Sequence, residues 1–423
     1  MRWLTAGESH GRSLVAVLDG MPAGIALTSQ DVEAALARRR GGAGRGARQS
    51  FEADRLTVIG GLWRGLTTGG PLAFEIANSE WPKWERTMSP DPAPVPDEAR
   101  ALPLTRPRPG HADLAGMIKY GQADARAILE RSSARETAAR VALGAAAAAY
   151  LEQAFGAHVV AHVVRIGRAA LPADAPRPTP AQARDIDQSP VRCLDPATAE
   201  AMAQELARAK AAGDTLGGVV EVLAYGLPPG IGSHVEADRR LDAQLAAALM
   251  GVQAVKGVEI GAGFALAQLP GSEAHDEIFP GPAPAAPGHG TGSAAPSAAG
   301  VGHPGTGGRQ PFRPRAYHRA TNRAGGIEGG MSNGQSIVLR AAVKPIPTVP
   351  HPLATIDTAT GAAARAHHQR SDTSAVVPAA VVAEAVVALA LARAAAEKFG
   401  GDTLQEVRCN IDGYLAQIPE HLR

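Results

Sequence analysis

Two histidines stand in turn-forming sequence beside residues that could share their chemistry. His10 lies in Gly7-Glu8-Ser9-His10-Gly11, directly after a short apolar run. His111 ends Arg106-Pro107-Arg108-Pro109-Gly110-His111 and is followed by Asp113. The two prolines remove backbone donors and restrict the residues before them, so this stretch is a stiffened loop and not a helix. Histidine gives or takes a proton near neutral pH. A lone loop histidine is more often structural or merely solvated, but one beside two arginines is a candidate acid or base for an anionic substrate.

The arginines point the same way. Arg38, Arg39, Arg40, Arg45 and Arg48 fall within eleven residues, spaced by glycines that let the backbone come close, a pattern suited to clamping a polyanion. Arg131 and Arg135 are four apart, as are Glu136 and Arg140, and the Ala-rich run that follows reads as buried. A helix entering the core with arginine and serine at its start can hold an anion. Arg370-Ser371-Asp372 sets a carboxylate beside a guanidinium just ahead of another long helix, where an N-cap aspartate is the plainer explanation. Finally, Arg323 to Gly334 holds five glycines in twelve residues and runs into an alternating segment, 335–343. A shaped loop feeding a strand suits a planar or phosphorylated ligand.

Other chemistries fit worse. Gly7-Glu-Ser-His-Gly11 matches the hydrolase nucleophile elbow in letters only, since that motif needs a strand–turn–helix with a sheet already built around it. Gly42-Ala-Gly44-Arg-Gly-Ala47 follows an arginine-rich helix rather than a strand, which fails the dinucleotide fingerprint. It also lacks the aromatics of an RNA-binding arginine–glycine segment, and the whole chain carries a formal net charge of only +1. Arginine outnumbers lysine by 36 to 6, so the guanidinium is the cation available for bidentate contacts. The two cysteines, Cys193 and Cys409, have neither disulfide-scaffold nor metal-ligand spacing. With no apolar leader and only interrupted apolar runs, a cytoplasmic protein with no membrane or nucleic-acid partner is expected.

The elements that must position these residues follow from periodicity. Strands are expected over 2–6, 14–18, several segments of 51–76, 157–167, 218–226 and 335–343. Thr28-Ser29-Gln30-Asp31 opens a helix that ends at Gly41. Residues 77–104 read as a Pro-rich connection carrying Trp81 and Trp84. Helices are expected over 124–155, 196–212, 239–255 and 374–399, most of them Ala-rich and apolar over much of their circumference, as helices buried between layers are. Of residues 280–308, 26 of 29 are Gly, Pro, Ala, Ser or Thr, which predicts a mobile insertion. The βαβ cadence of a parallel sheet is missing. The fold class expected is α+β, helices packed between antiparallel sheets, in a single domain over 1–423.

Taken in order, Ala6–Gly11, Arg38–Arg48, Arg106–Asp113, Arg131–Arg140, Ala324–Gly334 and Arg370–Asp372 resemble the chorismate synthase family over nearly the whole chain. The resemblance implies a β-α-β sandwich assembled as a homotetramer. The implied enzyme is a lyase that converts 5-enolpyruvylshikimate 3-phosphate into chorismate by anti-1,4-elimination of phosphate. It needs reduced FMN without net redox change. By this resemblance His10 serves the departing phosphate, His111 sits near flavin N1, and Asp372 relays the proton taken from the substrate. Flavin positions fall on Arg131, Ser132, Ser133, Gln253, Ala254, Gly329, Lys344, Pro345, Ile346, Pro347, Thr348 and Arg370. Arg39 and Arg45 match pyridine-nucleotide positions, and the substrate's anions fall to Ser9, Arg39, Arg45, Arg48, Arg106 and Arg135. Some members reduce their flavin with NADPH and others depend on external reduction. The lack of a Rossmann unit favours the latter here.

Overall fold

Alternation of apolar and polar residues builds the first sheet. Strands Arg2–Ala6, Ser13–Asp19, Leu72–Ala77 and Arg55–Gly60 pair antiparallel in that spatial order. Leu14, Ala16, Leu18, Leu72, Phe74 and Ile76 point inward and are fully buried. The opposite face leaves Leu4 71% and Ile59 62% exposed. The second sheet orders strands Val255–Ile260, Ile337–Val343, Gly218–Tyr225, His158–Ile166 and Ala169–Ala170, again all antiparallel. The computed structural model describes residues 1–45, 54–92, 102–282, 309–367 and 372–423.

Helices fill the space between the sheets, as an α+β sandwich requires. Thr137–Phe155 packs on the first sheet and Val376–Phe399 on the second, and the two helices pack on each other. Their closest approach is at Gly144, where an added Cβ would stand 2.4 Å from the Cβ of Ala385. Small residues on both helices are therefore a packing requirement. Val376–Phe399 is long and apolar enough to cross a membrane, yet 83% of its most apolar window is buried inside the protein. Most of the buried apolar side chains form one cluster reaching from Leu14 to Ile411.

Several boundaries differ from the sequence reading. The expected helix over 124–155 is interrupted: Arg126–Ser132 ends, Ser133 takes an extended backbone, and Thr137–Phe155 starts after a single 3₁₀ turn. The cause is Ser133, whose hydroxyl accepts from the Arg135 amide and donates to Ser9 Oγ. The helix expected over 239–255 runs only from Leu241 to Met250, and Val255 already belongs to a strand. The 77–104 connection contains a short helix, Trp81–Trp84, started by a proline in its first turn. A last helix, Leu404–Gln417, had no counterpart in the sequence reading and is opened by a Thr403/Glu406 capping box. Pro280, assigned to the insertion, pairs within strand Ile278–Pro280, while 283–308 lies outside the described residues.

Candidate active site

The N-terminal turn is assembled by the helix Arg126–Ser132 and the serine after it. Glu130 accepts the His10 backbone N–H at 2.7 Å and contacts ring Nδ1 at 2.8 Å. The next residue, Arg131, donates to the carbonyls of Gly7 and Thr5, and Ser133 reaches Ser9 at 3.1 Å. Ser132 only closes its own helix end, donating to the Leu129 carbonyl. Gly7, at φ +101°, is required here because a Cβ would stand 2.3 Å from the Ser13 carbonyl oxygen. Asn78 donates to the Gly11 carbonyl at 2.9 Å. Trp84 stacks on the His10 ring with centroids 4.0 Å apart.

Arginines converge on Asp54, whose side chain is completely buried. Arg39 Nη2 lies 2.9 Å from Asp54 Oδ2, Arg40 3.9 Å from it, and Arg135 Nη1 3.8 Å from Oδ1. Arg38 is not part of this group. It makes a bidentate contact to Glu384 and a second ion pair to Asp187, so it anchors the helix Ser29–Arg40 instead of clamping a ligand. Arg45 pairs with Asp372 at 3.1 Å. The N-cap of Val376–Phe399 is Ala375, so the capping role considered for Asp372 does not apply.

The second histidine also has a buried carboxylate. His111 Nδ1 meets Asp113 Oδ1 at 2.5 Å, while Arg108 reaches Asp113 Oδ2 through Nε at 2.8 Å. Burial alone would raise Asp113, but hydrogen bonds from His111 and Arg108, with their charges, hold it well below the usual carboxylate range. Arg108 also donates to Thr348 Oγ1 at 3.1 Å, and Lys344 Nζ donates to the Gly110 carbonyl. The His111 loop and Lys344–Thr348 thus share a cleft of about 540 Å³, lined among others by Pro109, Gly110, Thr215, Lys344, Pro345 and Pro347. Ile346 contributes its carbonyl to the Thr215 hydroxyl at 2.9 Å, and Ala254 its carbonyl to the Lys344 amide at 2.9 Å. Gln253 donates to Glu136, leaving its own Oε1 buried without a hydrogen bond.

These groups are tied together through the backbone. Ala125, just before the helix that holds His10, donates to the Leu104 carbonyl at the start of the His111 loop. Thr373 donates to the Gly44 carbonyl and accepts from Leu216, which links the Arg45–Asp372 pair to the strand entering the cleft. Arg106 receives the amide of His367 on its carbonyl. Burial and the positive charges of Arg108, Arg106 and Arg126 hold this third histidine below its usual range, partly offset by Asp113. Gly329 lies elsewhere. It sits at the tip of the hairpin Ile327–Ser332, and the strand Ile337–Val343, about 23 Å long, lies between that hairpin and Lys344 in the chain. Arg48 and Arg370 lie outside the described residues.

Asp54, Glu130 and His367 carry no signal in the sequence, because their partners lie 14 to 261 positions away. Trp84 was visible only as an aromatic in a Pro-rich connection.

Fold and site together define an α+β protein with antiparallel sheets around buried helices, two imidazole–carboxylate pairs and carboxylate-held arginines. A family model described as chorismate synthase matches residues 1–396. The chain is 56% identical over 421 residues to chorismate synthase of Thermobifida fusca, covering 99% of both. It is 57% identical over 425 residues to that of Beutenbergia cavernae, covering 100% of both. A solved structure titled "Crystal Structure of Chorismate Synthase" aligns with a TM-score of 0.71 at 34% identity, over 99% of this chain and 98% of that one. The chain belongs to the chorismate synthase family. It is accordingly an enzyme, a lyase of the shikimate pathway.

Proposed function

We propose that the chain converts 5-enolpyruvylshikimate 3-phosphate into chorismate and phosphate by anti-1,4-elimination, with reduced FMN as cofactor. The observation that carries this reading is the gathering of two imidazole–carboxylate pairs with arginines collected on a buried aspartate. The substrate bears two carboxylates and a phosphate, and a site without metal needs several guanidiniums to offset that charge. Arg39, Arg45, Arg106 and Arg135 supply them, with Ser9 as a neutral donor. His10 gives its proton to the departing phosphate, which lowers the cost of the charge that develops there. Asp372, beside Arg45, takes up the proton removed from the substrate.

The residues around the cleft fit a flavin. Lys344, which lines the cleft, offers a cation to a phosphate. Thr348, bonded to Arg108, offers a hydroxyl, and Gln253, beside the Ala254 that receives the Lys344 amide, a buried Oε1 acceptor for an imide N–H. Arg131, Ser132, Ser133, Ala254 and Pro345 to Pro347 complete the set, and His111, held by Asp113, manages protonation beside it. When bound there, reduced flavin would supply reversible electron donation with no net redox change. Its reduction is proposed to be external, with NADPH as an indirect source. In support, the glycine stretch at 41–45 follows a helix and not a strand. A homotetramer in the cytoplasm is proposed as well. The exposed apolar residues on the outer face of the first sheet favour assembly.

Purified protein, substrate and chemically reduced FMN, mixed without oxygen, should release phosphate and form chorismate in equal amounts. Absence of both overturns the reading. NADPH oxidation with free FMN tests the reductase question, and sedimentation equilibrium should give four times the monomer mass.

A further inference from the structure

We propose that Glu130 is a positioning residue for the reaction, fixing both the orientation and the tautomer of His10. This rests on the proton-donor role proposed for His10.

The geometry is specific. Glu130 has a side chain only 1% exposed, and both of its oxygens are spent on one residue: Oε2 on the His10 backbone N–H, Oε1 on ring Nδ1. Its backbone carbonyl accepts the Ser9 amide at 3.1 Å, so three hydrogen bonds join one helical residue to a turn 120 positions away. Among the described residues, His10 is the only ion-pair partner of this carboxylate. Asp113 differs, because Arg108 shares it with His111.

The chemistry follows from the donor inventory. An ionised carboxylate can only accept, so Nδ1 must carry a hydrogen. Nε2 is then the ring nitrogen left to carry the transferable proton, and the Trp84 stack fixes the plane in which it points. A buried carboxylate behind a catalytic imidazole holds the ring in its working tautomer and stabilises whatever positive charge it carries. Replacing it with an amide removes the charge and presents N–H groups that favour the opposite tautomer.

The test compares Glu130→Gln, Glu130→Asp and His10→Ala in the anaerobic assay with reduced FMN. Glu130→Gln is expected to lower kcat on the order of 10²-fold, with little change in KM, and to alter the pH profile of kcat. Glu130→Asp, which keeps the charge, should recover part of the loss. Adding Glu130→Gln to His10→Ala should cost little more, because the two act as one unit. If His10→Ala is crippled while Glu130→Gln keeps wild-type kcat and pH profile, the inference about Glu130 is wrong. If His10→Ala itself is near wild type, the proton-donor assignment fails instead. Should Glu130→Gln not fold, nitrogen-15 histidine spectra of the wild-type protein decide. With the His10 signal identified by its loss in His10→Ala and recorded above its titration, Nδ1 should be the protonated nitrogen, and an Nε2–H tautomer overturns the proposal.

Discussion

Replacing Asp54 with asparagine removes one buried negative charge and leaves the side chain's shape nearly unchanged. In the folded chain this carboxylate is the close partner of Arg39, whose side chain is 7% exposed, with Arg40 and Arg135 within 3.9 Å of it. Removing one member of a buried ion pair costs roughly 3–5 kcal/mol, because the remaining charge stays desolvated. The asparagine oxygen still accepts from Arg39, so the lower end, about 3 kcal/mol, is expected. The substrate's anions are proposed to bind these same arginines, so inorganic phosphate should substitute for the lost charge. At a hundred times its dissociation constant, a ligand bound only to the folded state restores about 2.7 kcal/mol. Urea denaturation of both proteins, with phosphate or with chloride at matched ionic strength, measures both effects. A loss below about 1 kcal/mol, or a recovery no greater in phosphate than in chloride, refutes Asp54 as the shared counter-ion of the anion site.

Three further outcomes test other parts of the structure. Glu221 is buried on the second sheet against His162, Arg177 and Arg340. Burial pushes its carboxyl up, but the His162 hydrogen bond and the surrounding positive charges outweigh this and bring it from 4.5 down to about 2. A depressed carboxyl contributes stability above its unfolded value, so this contribution, roughly 3 kcal/mol, is complete above pH 4.5 and lost as the pH falls to about 2. Glu221→Gln should therefore be destabilised at pH 7 and show a shallower loss between pH 4.5 and 2, and parallel pH curves from urea titrations contradict this. Gly144→Ala gains about 1 kcal/mol of helix propensity but overpacks Ala385 at a cost of about 1–3 kcal/mol, so the urea midpoint should fall with an unchanged slope. A higher midpoint would show that the two helices can move apart freely. Asp372→Asn should lower kcat on the order of 10²-fold while KM changes little, and unchanged turnover removes its proton-relay role.

The layers were legible because each rests on a local pattern. Leu14, Ala16 and Leu18 alternate, Thr28 and Asp31 form a capping box three apart, and the Ala-rich helices declare burial on all sides. The break at Ser133 was not legible, since its cause is a serine hydroxyl whose second partner, Ser9, is 124 residues away. The same limit governs the arginines. Arg38 and Arg39 are neighbours in sequence, but one residue turns a helix by about 100°, which sends the first to Glu384 and the second to Asp54. His10 and His111 were legible together as candidate acids or bases from their turns, but their separate roles came only through the family resemblance, and the carboxylate behind His10 needed the fold.

Those carboxylates also account for how a chain with a formal net charge of +1 can build a site for a polyanion. Several of the cations placed at the site have an internal counter-ion among the described residues. Asp54 is approached by Arg39, Arg40 and Arg135, and Asp113 by Arg108 and His111. Glu130 has His10, and Asp372 pairs with Arg45. Desolvation makes the charge of these guanidiniums count for more toward an incoming carboxylate or phosphate than it would in water. Under the proposed function, anion binding belongs to Arg39, Arg45, Arg106 and Arg135, and proton transfer to His10, His111 and Asp372. Substitutions in the first set should appear mainly in KM and its salt dependence, those in the second mainly in kcat.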